Sequence, residues 1–133
     1  MFSSLFQIKY KKINFEDMQN ATQNSNYIII NTLKAMEQDC LIKNTLNYEV
    51  EEKTINDLLN RYDLSNTKII IYGKNAMDDN AEKKYKQLSE LGFSEIYIYS
   101  GGLFEWMLLQ DIYGMNEFPT TKKVLDLLKY KSL

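Results

Sequence analysis

A short loop, residues 73–80 with the sequence GKNAMDDN, carries most of the side chains from which a reactive site could be built. It lies between a buried strand pattern and an amphipathic helix, a placement that often builds an anion-binding or catalytic site at the helix N-terminus. Its carboxylates could perform acid–base chemistry, or hold a divalent cation together with the two asparagines. We therefore predict a ligand-binding loop formed by Gly73, Lys74, Asn75, Ala76, Met77, Asp78, Asp79 and Asn80.

The same residues also have a purely structural interpretation. Asp79, followed three residues later by Glu82, matches a capping box, and a carboxylate at a helix N-terminus is worth roughly 0.5–2 kcal/mol. We favour this interpretation, in which Asp79 occupies the place that an anionic ligand would take. Lys74 could attract an anion and Asn75 could donate hydrogen bonds, but a solvated turn with Asn75 in a left-handed conformation is the favoured alternative.

The composition excludes several kinds of catalytic site. The chain has no His, so neither a Ser-His-Asp triad nor a Cys-His pair can form. Arg61 is the single Arg and lies far along the chain from the single Cys, which excludes a phosphatase loop of Cys, five residues and Arg. Cys40 is an alternative nucleophile, but Lys43 or a helix end would have to lower its pKa, so a buried structural Cys is favoured. We predict no catalytic residue in the loop, no metal site and no cofactor.

Bulk properties limit the partners of the chain. It has 133 residues, enough for one domain, and a net charge of -2, which gives no electrostatic case for nucleic acid or an anionic membrane. No apolar run approaches the roughly 20 residues of a membrane span, and the N-terminus lacks the pattern of a signal peptide. We expect a cytoplasmic or otherwise intracellular protein, in keeping with one unpaired Cys.

Strand and helix patterns alternate along the chain, which predicts one α/β domain with a mostly parallel sheet of about five strands and helices on both faces. The domain is predicted to span residues 1–133, with a core over about 7–121 and a C-terminal helix over 121–131. Strands are predicted at residues 7–13, 27–31, 68–72 and 95–99, with a further short strand near 45–48. Asn14 and Asp17 have the spacing to cap a short helix.

Residues 103–113, LFEWMLLQDIY, form the most apolar part of the chain and are predicted to be helical. Leu103, Trp106, Met107 and Gln110 would face the sheet on one side of this helix. The remaining apolar side chains, Phe104, Leu108 and Tyr113, would then need cover from the C-terminal helix, from a protein partner or from a second copy of the chain.

The order of these elements resembles the rhodanese domain. The resemblance rests on a strand, a loop, a helix, a Gly-aromatic pair, a strand, and a Gly-Gly turn before a helix with a Trp, and covers about 27–121. The matching parts are 68–72, the loop from Gly73, 81–91, Gly92, Phe93, 96–99, Gly101, Gly102 and Trp106. More narrowly, the stretches IIIYGKNAMDD, GGLFEWMLLQDIYG and FPTT are similar to divergent rhodanese-like proteins of large DNA viruses and protists.

The departures from the family pattern bear on function. In rhodaneses, a Cys at the head of the loop carries persulfide sulfur, and Gly73 holds that place here. Asn31 and Leu33 stand where the family's earlier strand ends in Asp-x-Arg. The resemblance thus implies a catalytically inactive rhodanese-like domain that acts as a binding or regulatory module. The alternative is a sulfurtransferase-type enzyme with altered chemistry, using Cys40 or the loop carboxylates.

Overall fold

The computed structural model describes residues 9–132. Strands and helices alternate in it as expected for an α/β domain. The regular elements are β1 (Lys12–Ile13), α1 (Phe15–Thr22), β2 (Tyr27–Asn31), α2 (Tyr48–Asn60), β3 (Lys68–Tyr72), α3 (Asn80–Glu90), β4 (Ile96–Tyr99) and α4 (Gly102–Tyr113), with 3-10 turns at Ala35–Glu37 and Leu127–Tyr130.

The sheet is parallel throughout, and its strand order is β1-β4-β3-β2. The centre of the sheet is apolar because β3 and β4 bury nearly every residue, as strands covered on both faces require. Strands β2 and β3 have the predicted bounds. The predicted strand over 7–13 is reduced to Lys12–Ile13, and residues 7 and 8 lie outside the described residues.

Helices cover both faces of the sheet, which confirms the predicted architecture. One face packs against α1 and α4 through a buried cluster that includes Met18, Ile70, Tyr72 and Trp106. The other face packs against α2 and α3 and includes Ile55, Ile71, Tyr85 and Leu88. Helix α1 begins with the predicted cap, since Asn14 Oδ1 accepts a hydrogen bond from Asp17 N at 3.0 Å and Asp17 Oδ2 accepts one from Asn14 N at 3.3 Å.

The described sheet has four strands rather than about five, because the strand predicted near 45–48 does not form. Only Thr45 makes a single bridge to Ile29, and Leu46 N donates to Ile29 O at 2.8 Å. The extended stretch ends there because Asn47 caps α2, its side chain accepting a hydrogen bond from Glu49 N at 2.8 Å.

The predicted C-terminal helix over 121–131 is wrong. Residues 119–121 pair instead with the chain near Ile42, with Lys43 N donating to Pro119 O at 3.0 Å and Thr121 N donating to Leu41 O at 2.8 Å. Lys122 O, which a helix would pair with a backbone N–H four residues later, instead accepts from Thr120 Oγ1 at 2.7 Å and from Cys40 Sγ at 3.2 Å. The helical part is confined to Leu127–Tyr130, and Leu128 within it is 61% exposed.

Helix α4 has the inward face that was predicted. Leu103, Trp106, Met107 and Gln110 are all buried, and Trp106 Nε1 donates to Pro119 O at 3.1 Å. Across residues 9–132, none of the helices combines the length and the apolar character that crossing a membrane requires.

Candidate functional site

The predicted ligand-binding loop follows β3 at the carboxyl end of the parallel sheet, which is where open α/β sheets place their binding sites. The start of α4 lies directly against this loop. Leu103 N donates to Gly73 O at 3.0 Å, and Phe104 N donates to Lys74 O at 2.9 Å. The first N–H groups of α4 therefore hold the loop's backbone.

Asp78 organises the interior of the loop. Its Oδ2 accepts a hydrogen bond from Lys74 N at 3.2 Å, and its Oδ1 accepts bonds from Asn80 N at 3.0 Å and Asn80 Nδ2 at 2.8 Å. A Cβ built on Gly73 would lie 3.1 Å from Asp78 Oδ2. The carboxylate thus takes N–H groups from both ends of the loop and lies beside the position where a side chain at residue 73 would begin.

The prediction that Asp79 caps α3 with its side chain is wrong. Asp79 occupies the N-cap position, but its side chain makes no capping hydrogen bond and lies 3.6 Å from Lys83 Nζ as an exposed ion pair. Glu82 lies in the first turn without completing a capping box. The reason is that Asp78, one residue earlier, already accepts the N–H of Asn80 in an Asx turn.

Replacing each aspartate separately by Ala will distinguish these roles. Asp78→Ala removes the acceptor of three hydrogen bonds and is expected to lower the free energy of unfolding by about 1–2 kcal/mol. Asp79→Ala removes an exposed ion pair only and is expected to change it by less than about 0.5 kcal/mol. Urea denaturation measures both values, and equal effects would contradict this assignment.

Lys74 and Asn75 are both engaged with other parts of the chain. Lys74 Nζ lies 2.7 Å from Glu37 Oε2, and this hydrogen bond lowers the pKa of the Glu37 carboxyl. Asn75 Nδ2 donates to Tyr130 O at 2.9 Å, and Asn75 Oδ1 accepts from Met77 N at 3.0 Å. The solvated, left-handed turn proposed for Asn75 is wrong, since the positive φ angles of non-glycine residues among 9–132 fall elsewhere, at Asn44 and Tyr62.

A cleft of about 490 Å³ opens beside the loop. Its walls come from three parts of the chain: the loop itself, the turn after β2, and residues 128–132. Four lysines line it, against the two acids Glu37 and Asp78. Those lysines are Lys34, Lys74, Lys129 and Lys131. The excess positive charge makes the cleft suited to an anionic ligand.

Cys40 does not contribute to this cleft. Its side chain is fully buried, its Sγ donates to Lys122 O at 3.2 Å, and burial raises the pKa of the thiol. A raised pKa disfavours the thiolate that nucleophilic chemistry needs. The geometry agrees with the structural interpretation of this cysteine.

At the end of β2, the residues in the place of the Asp-x-Arg pattern build a turn. Asn31 is buried, and its Oδ1 accepts a hydrogen bond from Leu33 N at 3.0 Å. Leu33 is buried in the apolar cluster below α4. Among residues 9–132, no group of three or more Cys, Asp or Glu side chains is arranged to hold a metal ion.

Sequence reasoning missed the cleft residues outside the loop, among them Glu37 and Lys129, and the contact between Tyr130 and Asn75. Glu37 is 37 residues from its partner Lys74, and Tyr130 is 55 residues from Asn75. No local pattern marks such pairs, and the C-terminal residues had been assigned to a helix on α4. The one available signal was the concentration of Lys after residue 121.

Comparison with known proteins gives one family match. A family model described as "Rhodanese-like domain" matches residues 14–109. No protein of curated function is similar enough in sequence to count as a relative. The narrower likeness to proteins of large DNA viruses and protists stays a prediction.

Solved structures share the fold at low sequence identity. The Alr3790 protein of Anabaena sp. has a TM-score of 0.60 at 18% identity, over 88% of this chain and 97% of that chain. The single-domain sulfurtransferase RDL2 of Saccharomyces cerevisiae has a TM-score of 0.58 at 15% identity, over 80% and 96%. A yeast protein tyrosine phosphatase of the rhodanese family has a TM-score of 0.60 at 16% identity, over 90% and 97%. At these identities the likeness shows the fold alone.

Proposed function

This chain belongs to the rhodanese-like domain family, and we propose that it is a catalytically inactive member that acts as a binding or regulatory module. Neighbours of the same fold are named as a sulfurtransferase and as a phosphatase, so the fold by itself does not select an activity. The function must be argued from the loop of this chain.

The observation that carries the proposal is the pairing of Gly73 with Asp78. Gly73 stands at the head of the loop, where the family resemblance places the sulfur-carrying cysteine, and it has no side chain to act as a nucleophile. The Asp78 carboxylate lies 3.1 Å from the position of its missing Cβ and accepts the loop's own N–H groups. A negatively charged sulfur or substrate at this place would meet a fixed negative charge.

The remaining reactive groups do not replace the missing nucleophile. Cys40 is buried with a raised pKa, and Asp79 points to solvent beside Lys83. The cleft beside the loop carries an excess of lysines, which supports binding of an anionic group without a reaction of that group.

A thiosulfate–cyanide assay tests the proposal. The wild-type chain is expected to form thiocyanate at the rate of a protein-free blank, since no activated thiol borders the cleft. Cys40→Ala is the matched control, because Cys40 is the one thiol in the sequence. Turnover by the wild type that disappears in Cys40→Ala would overturn the proposal in favour of sulfur transfer.

The outer face of α4 supports a protein contact in the 103–113 region. Leu108, Ile112 and Tyr113 are 39%, 70% and 64% exposed, although Phe104 packs against the core cluster. Leu108 and Ile112 are four residues apart and share one face of α4, with Tyr113 beside it, and such exposed apolar side chains are typical of contact surfaces. We include in the proposal a homodimer, or a complex with a protein partner, through this face.

Light scattering on the purified chain tests the homodimer. We expect a mass that rises toward twice the monomer with concentration, and Ile112→Asp is expected to weaken the association at least about tenfold by placing a charge in the contact. Leu125→Asp is the control, because Leu125 is 89% exposed outside this face. A monomeric mass at all concentrations would contradict the proposed homodimer.

A further inference from the structure

Residues 127–132, here called the strap, contribute one part of the cleft wall beside the loop. Leu128, Lys129, Lys131 and Ser132 line the cleft wall. These residues lie beyond the part of the chain that matches the family, which ends at residue 109. The family match therefore does not include this part of the cleft wall.

Two contacts attach the strap directly to the site. Tyr130 O accepts a hydrogen bond from Asn75 Nδ2 of the loop at 2.9 Å, and the Tyr130 ring is buried in the core cluster below α4. Lys129 Nζ lies 3.9 Å from Asp39 Oδ2, a long and exposed ion pair that contributes little. The buried Tyr130 is thus the main anchor, and Asn75 connects it to the loop.

The closed strap also contains unfavourable features. The Tyr130 hydroxyl is buried and makes no hydrogen bond within residues 9–132. Burial raises the pKa of Tyr130 to about 12, so at neutral pH the group is an O–H donor that faces no acceptor. Within the strap, Leu128 is left 61% exposed. These costs lower the net stability of the closed strap. A segment can open reversibly only when its closed form is weakly stable.

We propose that residues 127–132 act as a releasable strap, anchored by Tyr130, that covers the cleft, opens to admit an anionic ligand and closes again over it. The ligand-dependent part of this inference rests on the proposed binding function. Opening would withdraw Tyr130 O from Asn75 and free one side of the loop. Lys129 and Lys131 are two of the four lysines of the cleft, so an anionic ligand, once inside, would favour the closed strap.

Limited digestion with trypsin measures the opening, because Lys129 directly precedes the buried Tyr130, and a protease can bind the chain across this bond only when the strap leaves its place. Tyr130→Phe keeps the ring and removes the unsatisfied hydroxyl, so cleavage there is expected to slow by about tenfold. Tyr130→Ala removes the ring and is expected to speed cleavage by about tenfold or more. Leu125→Ala, an exposed position just before the strap, is the control and should cleave at the wild-type rate.

Cleavage after Lys84 reports on the rest of the domain, because Lys84 lies within α3 and pairs with Glu51 at 2.7 Å. Strap cleavage that changes while Lys84 stays protected supports the proposal. Wild-type rates in both Tyr130 variants, or strap cleavage that changes only in proportion to cleavage after Lys84, would overturn it. The digestion needs no ligand, so its result is separate from failure of the proposed binding function.

A second measurement tests the cover itself. In a Gly73→Cys, Cys40→Ala chain, the new thiol is the one reactive group, and its Cβ would lie within 3.3 Å of Thr32 and Asp78, which line the cleft. A thiol reagent would therefore reach the buried residue 73 from the cleft. Adding Tyr130→Ala is expected to speed the reaction by about tenfold or more, by the same loss of ring packing. Equal rates with and without Tyr130→Ala would overturn the inference that the strap covers the loop.

Discussion

Gly73→Cys is expected to give a thiol that resists ionisation, with a pKa at or above the ordinary value of about 8.5, until Asp78 is also replaced. The double change Gly73→Cys with Asp78→Asn is expected to raise the thiolate fraction at pH 7 by about tenfold or more. The two chains differ in one charged group beside the new sulfur. Their comparison therefore measures what Asp78 does to the loop.

The physical reason lies in the geometry of the loop. The Cβ of residue 73 would lie 3.1 Å from Asp78 Oδ2, so a thiolate there would be close to a negative charge. In the double variant that charge is gone, and the N–H groups of Lys74 and Asn80 no longer donate to a carboxylate. Such N–H groups at a helix start stabilise an anion and lower a thiol pKa.

Alkylation rates measured against pH give the thiol pKa of each chain. The wild type supplies the background, since its buried Cys40 should react slowly. Ala76→Cys is the matched control, because Ala76 is exposed in the same loop and should give a pKa near 8.5. A Gly73→Cys thiol with a pKa well below 8.5 while Asp78 is intact would show that the carboxylate does not occupy the anion position.

Gly102→Ala is expected to lower the free energy of unfolding by about 2–4 kcal/mol. Gly102 has a φ of +70°, a conformation that side chains disfavour, and an added Cβ would lie 2.9 Å from Asn75 N, Asn75 Cα and Gly73 O. These are backbone atoms, which cannot rotate away as a flexible side chain would. Either the loop or the start of α4 must shift, although both are held by the bond from Leu103 N to Gly73 O.

Gly114→Ala is the matched control for Gly102→Ala. Gly114 also has a positive φ, +101°, but nothing lies within 4 Å of its Cβ position. It is expected to show a conformational cost alone, about 1–3 kcal/mol. Urea denaturation of both variants separates the two contributions. Equal costs would mean that the loop does not press against the start of α4.

Local patterns predicted the parts of the fold in which neighbouring residues decide the outcome. The strand over residues 27–31 and the strand over 68–72 have continuous β-branched runs, which leave little alternative to burial on both faces. The Asn14–Asp17 cap joins residues only three positions apart and has the predicted form. The spacing within 103–113 likewise gave the buried face of α4.

The errors fall where distant parts of the chain compete for the same groups. Asp78 and Asp79 are adjacent, and a capping pattern cannot tell which of them the path of the loop turns inward. The C-terminal residues have helical spacing, yet residues 119–121 are held extended by pairing with the chain near Ile42, and Lys122 O accepts from side chains instead of a helical N–H. The position of Tyr130 beside Asn75 depends on that pairing, so no local signal could have predicted it.

The two margins of the sheet have a consequence for solubility. An unpaired strand edge invites another chain to add a strand, the first step of many aggregates. Strand β1 offers a stretch of only two residues at one margin, beside Lys11 and Lys12, and the chain near Thr45 and Leu46 covers part of β2 at the other. Association by strand addition is therefore disfavoured at both margins of the described sheet. Copies of this chain that meet at high concentration would do so through side chains, in reversible complexes, rather than by growing a shared β-sheet.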